Sequence, residues 1–308
     1  MTAATAPPSR TTVKAAPSWS AAGGPHRNLL TRAVGRLGSA FVQAVLTIIA
    51  LVWLLPTIGL FVSSLRSVED NNSAGWWKIL TVPSQLTIQN YRKILSNHDL
   101  THALLNTVLI TVPTTVLLVA VASLAAYSFA WMDFPARDWI FLVVVGLLVV
   151  PVQVALIPVA GIYTALGIFG TIPCVILFHI AFGLPFAIFL LRNFFAGIPR
   201  DLLEAARMDG ASEWRIFVRV IMPLGLPAIA SLAIFQFLWV WNDLLVALVF
   251  AGPDSIPLTV FLRDQTRQFG SSIDVLAPGA FISLLVPLIV FFSFQRFFVQ
   301  GVLAGSVK

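Results

Sequence analysis

The sequence predicts an all-α integral membrane protein with six transmembrane helices and a cytoplasmic helix-turn-helix between the fourth and fifth. Three observations carry this expectation. Only 10% of the 308 residues are charged and 58% are hydrophobic, whereas soluble domains carry roughly 25% charged residues. Mean hydropathy is +0.91. The charges are also bunched, leaving uncharged tracts at 37–65, 100–132, 139–191, 220–242 and 275–295, each longer than the ~20 residues that cross a bilayer as a helix.

Residues 1–38 hold Pro, Ser, Ala and Thr with Arg10, Lys14, Arg27, Arg32 and Arg36, and no acid. Without an apolar run to serve as a signal-peptide core, they read as a disordered cytoplasmic tail. The tract 139–191 exceeds two crossings and is interrupted by Gly167, Gly170 and Pro173, so it divides into two spans. The spans expected are 39–63, 103–130, 139–160, 171–191, 222–248 and 276–296, giving a transmembrane domain over 39–300 and a short cytoplasmic tail, 301–308. With the N-terminus inside, Lys and Arg divide 13 to the inner segments and 6 to the outer loops. Cations accumulate on the cytoplasmic side, so both termini are placed in the cytoplasm. Trp76, Trp77, Trp131 and Trp139 flank spans, as interfacial anchors do.

The formal charge of +6 comes with no cationic run longer than Arg92-Lys93. It therefore reads as topology charge rather than a nucleic-acid footprint. A single cysteine, Cys174, excludes an intrachain disulfide and a cysteine-based zinc site. No catalytic constellation or metal-binding cluster is read in the chain. Each of the four lysines lacks the preceding glycine that a Walker A phosphate loop requires, so no nucleotide site of that kind is expected here, and the chain is not expected to be an enzyme.

The one substantial inner loop, 192–222, carries the most pattern. Pro199 suits a helix start, Asp201 and Glu204 have helix-N-terminal spacing, and Gly210 sits where a left-handed residue ends a helix. Ser212 can cap a second helix, in which Trp214, Phe217, Val218 and Ile221 form an apolar stripe beside Arg215 and Arg219. One reading is an amphipathic hairpin on lipid. The other is a docking element, with Ala205 and Ala206 allowing close approach and Glu204 and Asp209 setting register.

The stretch Glu204-Ala205-Ala206-x-x-Asp209-Gly210-Ala211, followed by Phe217 and Pro223-Leu224-x-x-Pro227, resembles the EAA signature of permease subunits in binding-protein-dependent ABC importers. Trp241-Asn242-Asp243-Leu244-Leu245 and the tail 294–308 resemble carbohydrate importers of the maltose-permease type, and Gly75-Trp76-Trp77 leans toward α-glucoside permeases. The 38-residue N-terminal tail and Ser306, where the broader pattern more often has Ala, depart from it. The resemblance implies a permease in a bacterial or archaeal cytoplasmic membrane. It also implies a second homologous permease, two ATPase subunits carrying ATP and Mg, and an extracytoplasmic sugar-binding protein as partners. Glu204, Ala205, Ala206, Asp209, Gly210, Ala211, Trp214 and Phe217 would then couple to an ATPase, with Gly301, Gly305 and Lys308 contributing a C-terminal contact.

Asn106, Gln153, Gln236, Trp241 and Asn242 are candidates for a sugar path, since such sites combine aromatic faces with amides. They serve equally well as polar packing groups between helices. His179 lies inside a span with no acid in its own tract, which favours a packing role over a proton relay. An ion-coupled secondary transporter is the alternative. It would place carboxylates near the bilayer midplane, and by these boundaries none lies mid-span.

Overall fold

The computed structural model describes residues 29–268 and 273–306, and among these every regular element is helical. The first helix, α1, runs Leu29–Ser64. It begins ten residues inside the stretch read as tail, because Leu29, Leu30, Ala33, Val34 and Leu37 already repeat at helical spacing. Residues 1–28, which hold the rest of the expected tail, lie outside the described residues. The chain through Pro56 forms one unit and that from Thr57 another. In the first unit, every described side chain from Ala40 onward is exposed and nearly all are apolar, a composition for lipid rather than water.

In the second unit, residues 65–97 are a built platform rather than an open loop. It contains α2 (Val68–Ser73) and α3 (Gln89–Leu95). Its centre is Arg66, fully buried, which donates to Gln85, Asn71 and the carbonyls of Asp70 and Ala74. Asn90 donates in turn to the carbonyls of Ser64 and Arg66. Asn97 then caps α4, His98–Trp131.

The third expected span is not straight. It consists of α5 (Arg137–Gly146), a 3-10 turn (Leu147–Val149) and α6 (Val152–Ala165), bent by 104°. Pro151 lacks an amide proton and Val150 before it is extended, and the helix stops there. Tract length alone could not reveal this, although Pro151 was legible. The break near Gly167 and Gly170 falls as expected, and α7 occupies Ile172–Ala196. After it come α8 (Arg200–Met208), α9 (Glu213–Ile216), a π-helical turn (Phe217–Ile221) and α10 (Met222–Trp241).

Span five was expected at 222–248. The helix instead starts upstream at Glu213 and stops at Trp241, and α11 (Leu245–Phe250) begins anew. Asn242 turns its amide back to the Leu238 carbonyl, while Asp243 accepts from the amides of Val246 and Ala247, so one residue closes a helix and the next opens another. α12 (Leu258–Gln268) and α13 (Ile273–Ser306) follow. α13 carries the chain as helix through 301–306, beyond the expected end of span six. Among the described residues, five helices are thus long and apolar enough to cross a membrane, with the bent pair making up to six.

α4 is the central rod of the second unit, packed along α7 and α10, and α10 packs against α13. Its buried face is rich in small or hydroxylated residues, Ala103, Thr107, Thr111, Thr114, Ala122, Ser123 and Ala126, set among larger ones such as Ile110 and Leu118. The small ones let helices approach closely. Gly183 of α7 meets this face where a Cβ would collide with Leu118 and press on Gln236. One end of α4 joins α3, α12 and α13 around Ile94, Leu100, Leu258 and Phe261. The other joins α7 and the segment 200–221 around Tyr127, Phe195, Leu203 and Ile216.

Candidate functional site

The segment 200–221 is a helix-turn-helix set on the end of the bundle. α8 starts directly after Pro199, which needs no partner for an amide it lacks. Asp201 lies within the first turn, favourably placed against the helix dipole, rather than at the cap. At the other end, Gly210 has φ +75°, its amide donates to the Arg207 carbonyl, and the Ala211 amide donates to the Ala206 carbonyl. These two bonds define a Schellman stop, which requires the left-handed residue that glycine supplies. Ser212 accepts from the Arg215 amide and opens α9.

The two helices sort their residues by face. Leu203, Ile216, Phe217 and Ile221 are buried in the bundle, with Ala206 and Ala211 half-buried against it. Glu204, Ala205, Asp209 and Gly210 are exposed, as are Met208 at 84% and Trp214 at 65%. The outward surface therefore carries Glu204, Ala205, Met208, Asp209 and Trp214, beside exposed Leu202, Arg207 and Arg215. Phe217 and Ala206 act as its foundation. The apolar stripe read from sequence divides in the same way, Trp214 and Val218 facing out and Phe217 and Ile221 in, while Ile216 joins the buried set. The π turn lets the chain pass from α9 into α10 without a break: the Met222 amide reaches the Phe217 carbonyl, loosening the helix where Pro223 cannot donate.

A polar cluster locks this element. Arg207 and Glu213 pair across the turn at 3.0 Å, and the Tyr127 hydroxyl donates to the same carboxylate. The hydrogen bond to Glu213 raises the Arg207 guanidinium above its ordinary range. Tyr127 is buried, and its ring lies 5.3 Å from that of Phe217.

The path candidates do not converge on one cavity. Asn106 donates to the carbonyls of Asp254 and Ile256, tying the connection between α11 and α12 to α4. Trp241 is buried and donates to the Ser283 carbonyl of α13. Gln236 is buried beside Gly183, whereas Gln153 and Asn242 are exposed. Asn106 and Trp241 thus bond across elements as packing groups. His179 does have an acid, supplied by another element: its Nε2 lies 3.5 Å from Asp243 Oδ2, with Trp239 edge-on at 5.7 Å. The sequence shows no acid in the tract of His179 itself, and that holds; the carboxylate comes from the break after α10, a neighbour that tract composition cannot show. Both oxygens of Asp243 also accept from the start of α11, which gives that carboxylate an architectural role. Gly301 and Gly305 fall within helical backbone of α13, and Lys308 lies outside the described residues.

Comparison with known proteins decides the family. Residues 104–304, more than half the chain, match the family described as Binding-protein-dependent transport system inner membrane component. The chain belongs to this family. Among relatives of this inner-membrane component, the Osmoprotective compounds uptake permease protein GgtD of Synechocystis sp. is 52% identical, covering 86% of this chain and 90% of the relative. The Alpha-glucoside transport system permease protein AglG of Rhizobium meliloti is 49% identical over 74% of this chain, which spans 62% of that relative's length. In fold, the inner-membrane component resembles a chain from a bacterial ABC transporter involved in import of the acidic polysaccharide alginate. That match has a TM-score of 0.71 at 22% identity, covering 89% of this chain and 99% of that one. The sequence reading of this component missed Tyr127 and Arg207. Glu213, directly after a capping Ser, was a readable helix start, but nothing in the spacing joined it to a tyrosine 86 residues away.

Proposed function

We propose that this chain forms half of the translocation pathway of an ATP-driven importer for a sugar, an oligosaccharide or α-glucoside. In this reading it pairs with a second homologous permease. Two ATPase subunits, which carry ATP and Mg, sit on the cytoplasmic face, and an extracytoplasmic sugar-binding protein delivers the solute. Both termini and the 200–221 segment face the cytoplasm. This chain supplies no nucleotide site. The carrying observation is the outward face of α8 and α9, where Glu204, Ala205, Met208, Asp209 and Trp214 stand exposed on a turn braced from beneath. A lipid-facing hairpin would bury its acids poorly; a protein cleft takes acid, small and aromatic residues together.

ATP-driven closure of the ATPases would carry the paired segments together and rock the two permeases between inward-open and outward-open states. The tail from Gly301 to Lys308 would add a second ATPase contact. A sugar cargo is supported by the name of one relative, an α-glucoside transport permease.

The experiment is affinity purification from native membranes with mass spectrometry, paired with uptake of labelled trehalose, sucrose and maltose by cells with and without the gene. Recovery of an ATPase, a second permease and a sugar-binding protein, with gene-dependent uptake, supports the proposal. Purification alone, with ion-gradient-dependent uptake that persists after ATP depletion, refutes it in favour of the ion-coupled alternative.

A further inference from the structure

The Glu213 carboxylate joins three helices. Its Oε1 accepts from Arg207 Nε at 3.0 Å, bracing α8 to α9 across the Gly210 turn. Its Oε2 accepts from the hydroxyl of Tyr127, four residues before the end of α4, and lies 3.4 Å from Arg207 Nη2. The remaining contacts of the helix-turn-helix with the bundle are apolar, through Leu203, Ile216 and Phe217. Apolar contacts hold surfaces together without fixing their register, whereas a charge-assisted hydrogen bond is directional. α9 already runs into α10 through the π turn. The phenol therefore gives the segment a second, separate attachment, to α4.

We infer that Tyr127, Glu213 and Arg207 form a strut that passes displacement of the 200–221 segment into α4. The inference rests on the coupling role proposed above. Under it, α4 and α10 receive the same movement at once, one through a hydrogen bond and the other through continuous backbone. These are positioning residues. Arg207 and Glu213 keep α8 and α9 a single body, and Tyr127 sets where that body grips α4. Since α4 packs along α7 and α10 and reaches the cluster around Leu100 and Ala103, a shift of its Tyr127 end reaches the far end of the bundle.

The test uses the complete transporter in liposomes, with all subunits present, Cys174→Ala in this chain and cysteine-free partners. Spin labels at Met132→Cys and Leu202→Cys report the distance between the end of α4 and the start of α8. Both positions are exposed. With Tyr127 intact, the distance stays the same between the nucleotide-free and ATP-vanadate-trapped states. Tyr127→Phe keeps the ring on Phe217 and removes one hydroxyl. It should let the distance shift on trapping, and Glu213→Gln combined with it should add little further shift. A merely structural role would alter both states alike. An unchanged distance in Tyr127→Phe in both states overturns the strut. Glu204→Lys separates the two levels of inference. If it retains bound ATPase and trapping, the coupling role itself fails. If it loses both while Tyr127→Phe behaves as wild type, only the strut fails.

Discussion

Replacing Gly210 tests the proposed docking element through backbone physics alone. The residue has φ +75°, and a Cβ built on it meets no heavy atom within 4 Å. Substitution there is therefore free of collision, and its cost is conformational. Left-handed backbone costs an L-residue ~1–2 kcal/mol, and a β-branched side chain costs more. Relaxing the turn also strains the Schellman bonds from Gly210 and Ala211, each worth about 0.5–1.5 kcal/mol. A penalty of one or two kcal/mol lowers the population of the docking geometry about 5–30-fold. The expected order of function is Gly, then Asn, which tolerates left-handed backbone, then Ala, then Val. Membrane levels should match wild type throughout, because the apolar spans dominate insertion. Co-purified ATPase and solute uptake measure the effect. Equal ATPase recovery across all four residues would refute the reasoning and return 200–221 to a lipid-facing hairpin.

Orientation is tested by impermeant thiol labelling of intact cells: a cysteine at Ser73 should react and one at Ser212 should not, and labelling at Ser212 would reverse the topology. Deleting Gly301 to Lys308 leaves the apolar part of α13 intact, so insertion should persist while ATPase coupling weakens; unchanged uptake would remove the tail from the functional residues. Asp243→Asn keeps a good helix cap for α11. Uptake is expected to survive it, and loss of uptake at normal membrane level would support ion coupling through His179 and Asp243.

Much of this fold was legible because charge exclusion from lipid is a strong, local signal. Uncharged tracts located the apolar helices, and Gly210 with Ser212 located the turn between α8 and α9 from chain chemistry that needs no tertiary partner. What failed were boundaries set by single residues inside apolar runs. Pro151 bends a tract whose hydropathy is uniform, and Asp243 restarts a helix in a span that composition alone would continue. The site divided along the same line. Exposed Glu204, Ala205 and Asp209 follow from helical period, whereas the partnership of Tyr127 with Glu213 and that of His179 with Asp243 depend on which helices lie together. The path candidates were chosen by side-chain type, and type does not separate a solute contact from an amide that holds a loop, as Asn106 does.

The distribution of directional bonds along α4 bears on how this chain moves. In the middle of the rod, Thr114 and Ser123 return their hydroxyls to carbonyls of their own helix, and Thr111 and Thr115 direct no hydroxyl to a neighbour. Contacts there are made by small and apolar side chains packed against α7 and α10, which constrain spacing more than axial position. At the ends the bonding changes character. Thr107 accepts from the Leu258 amide and Asn106 holds the carbonyls of Asp254 and Ile256 at one end, while Tyr127 grips Glu213 at the other. A helix bonded at its ends and packed without cross-bonds between them can bend or tilt at its middle without breaking polar bonds there, in lipid, where each broken bond costs most. The alternating access proposed for this chain needs that mechanical property, and here it follows from where the hydroxyls of α4 find their acceptors.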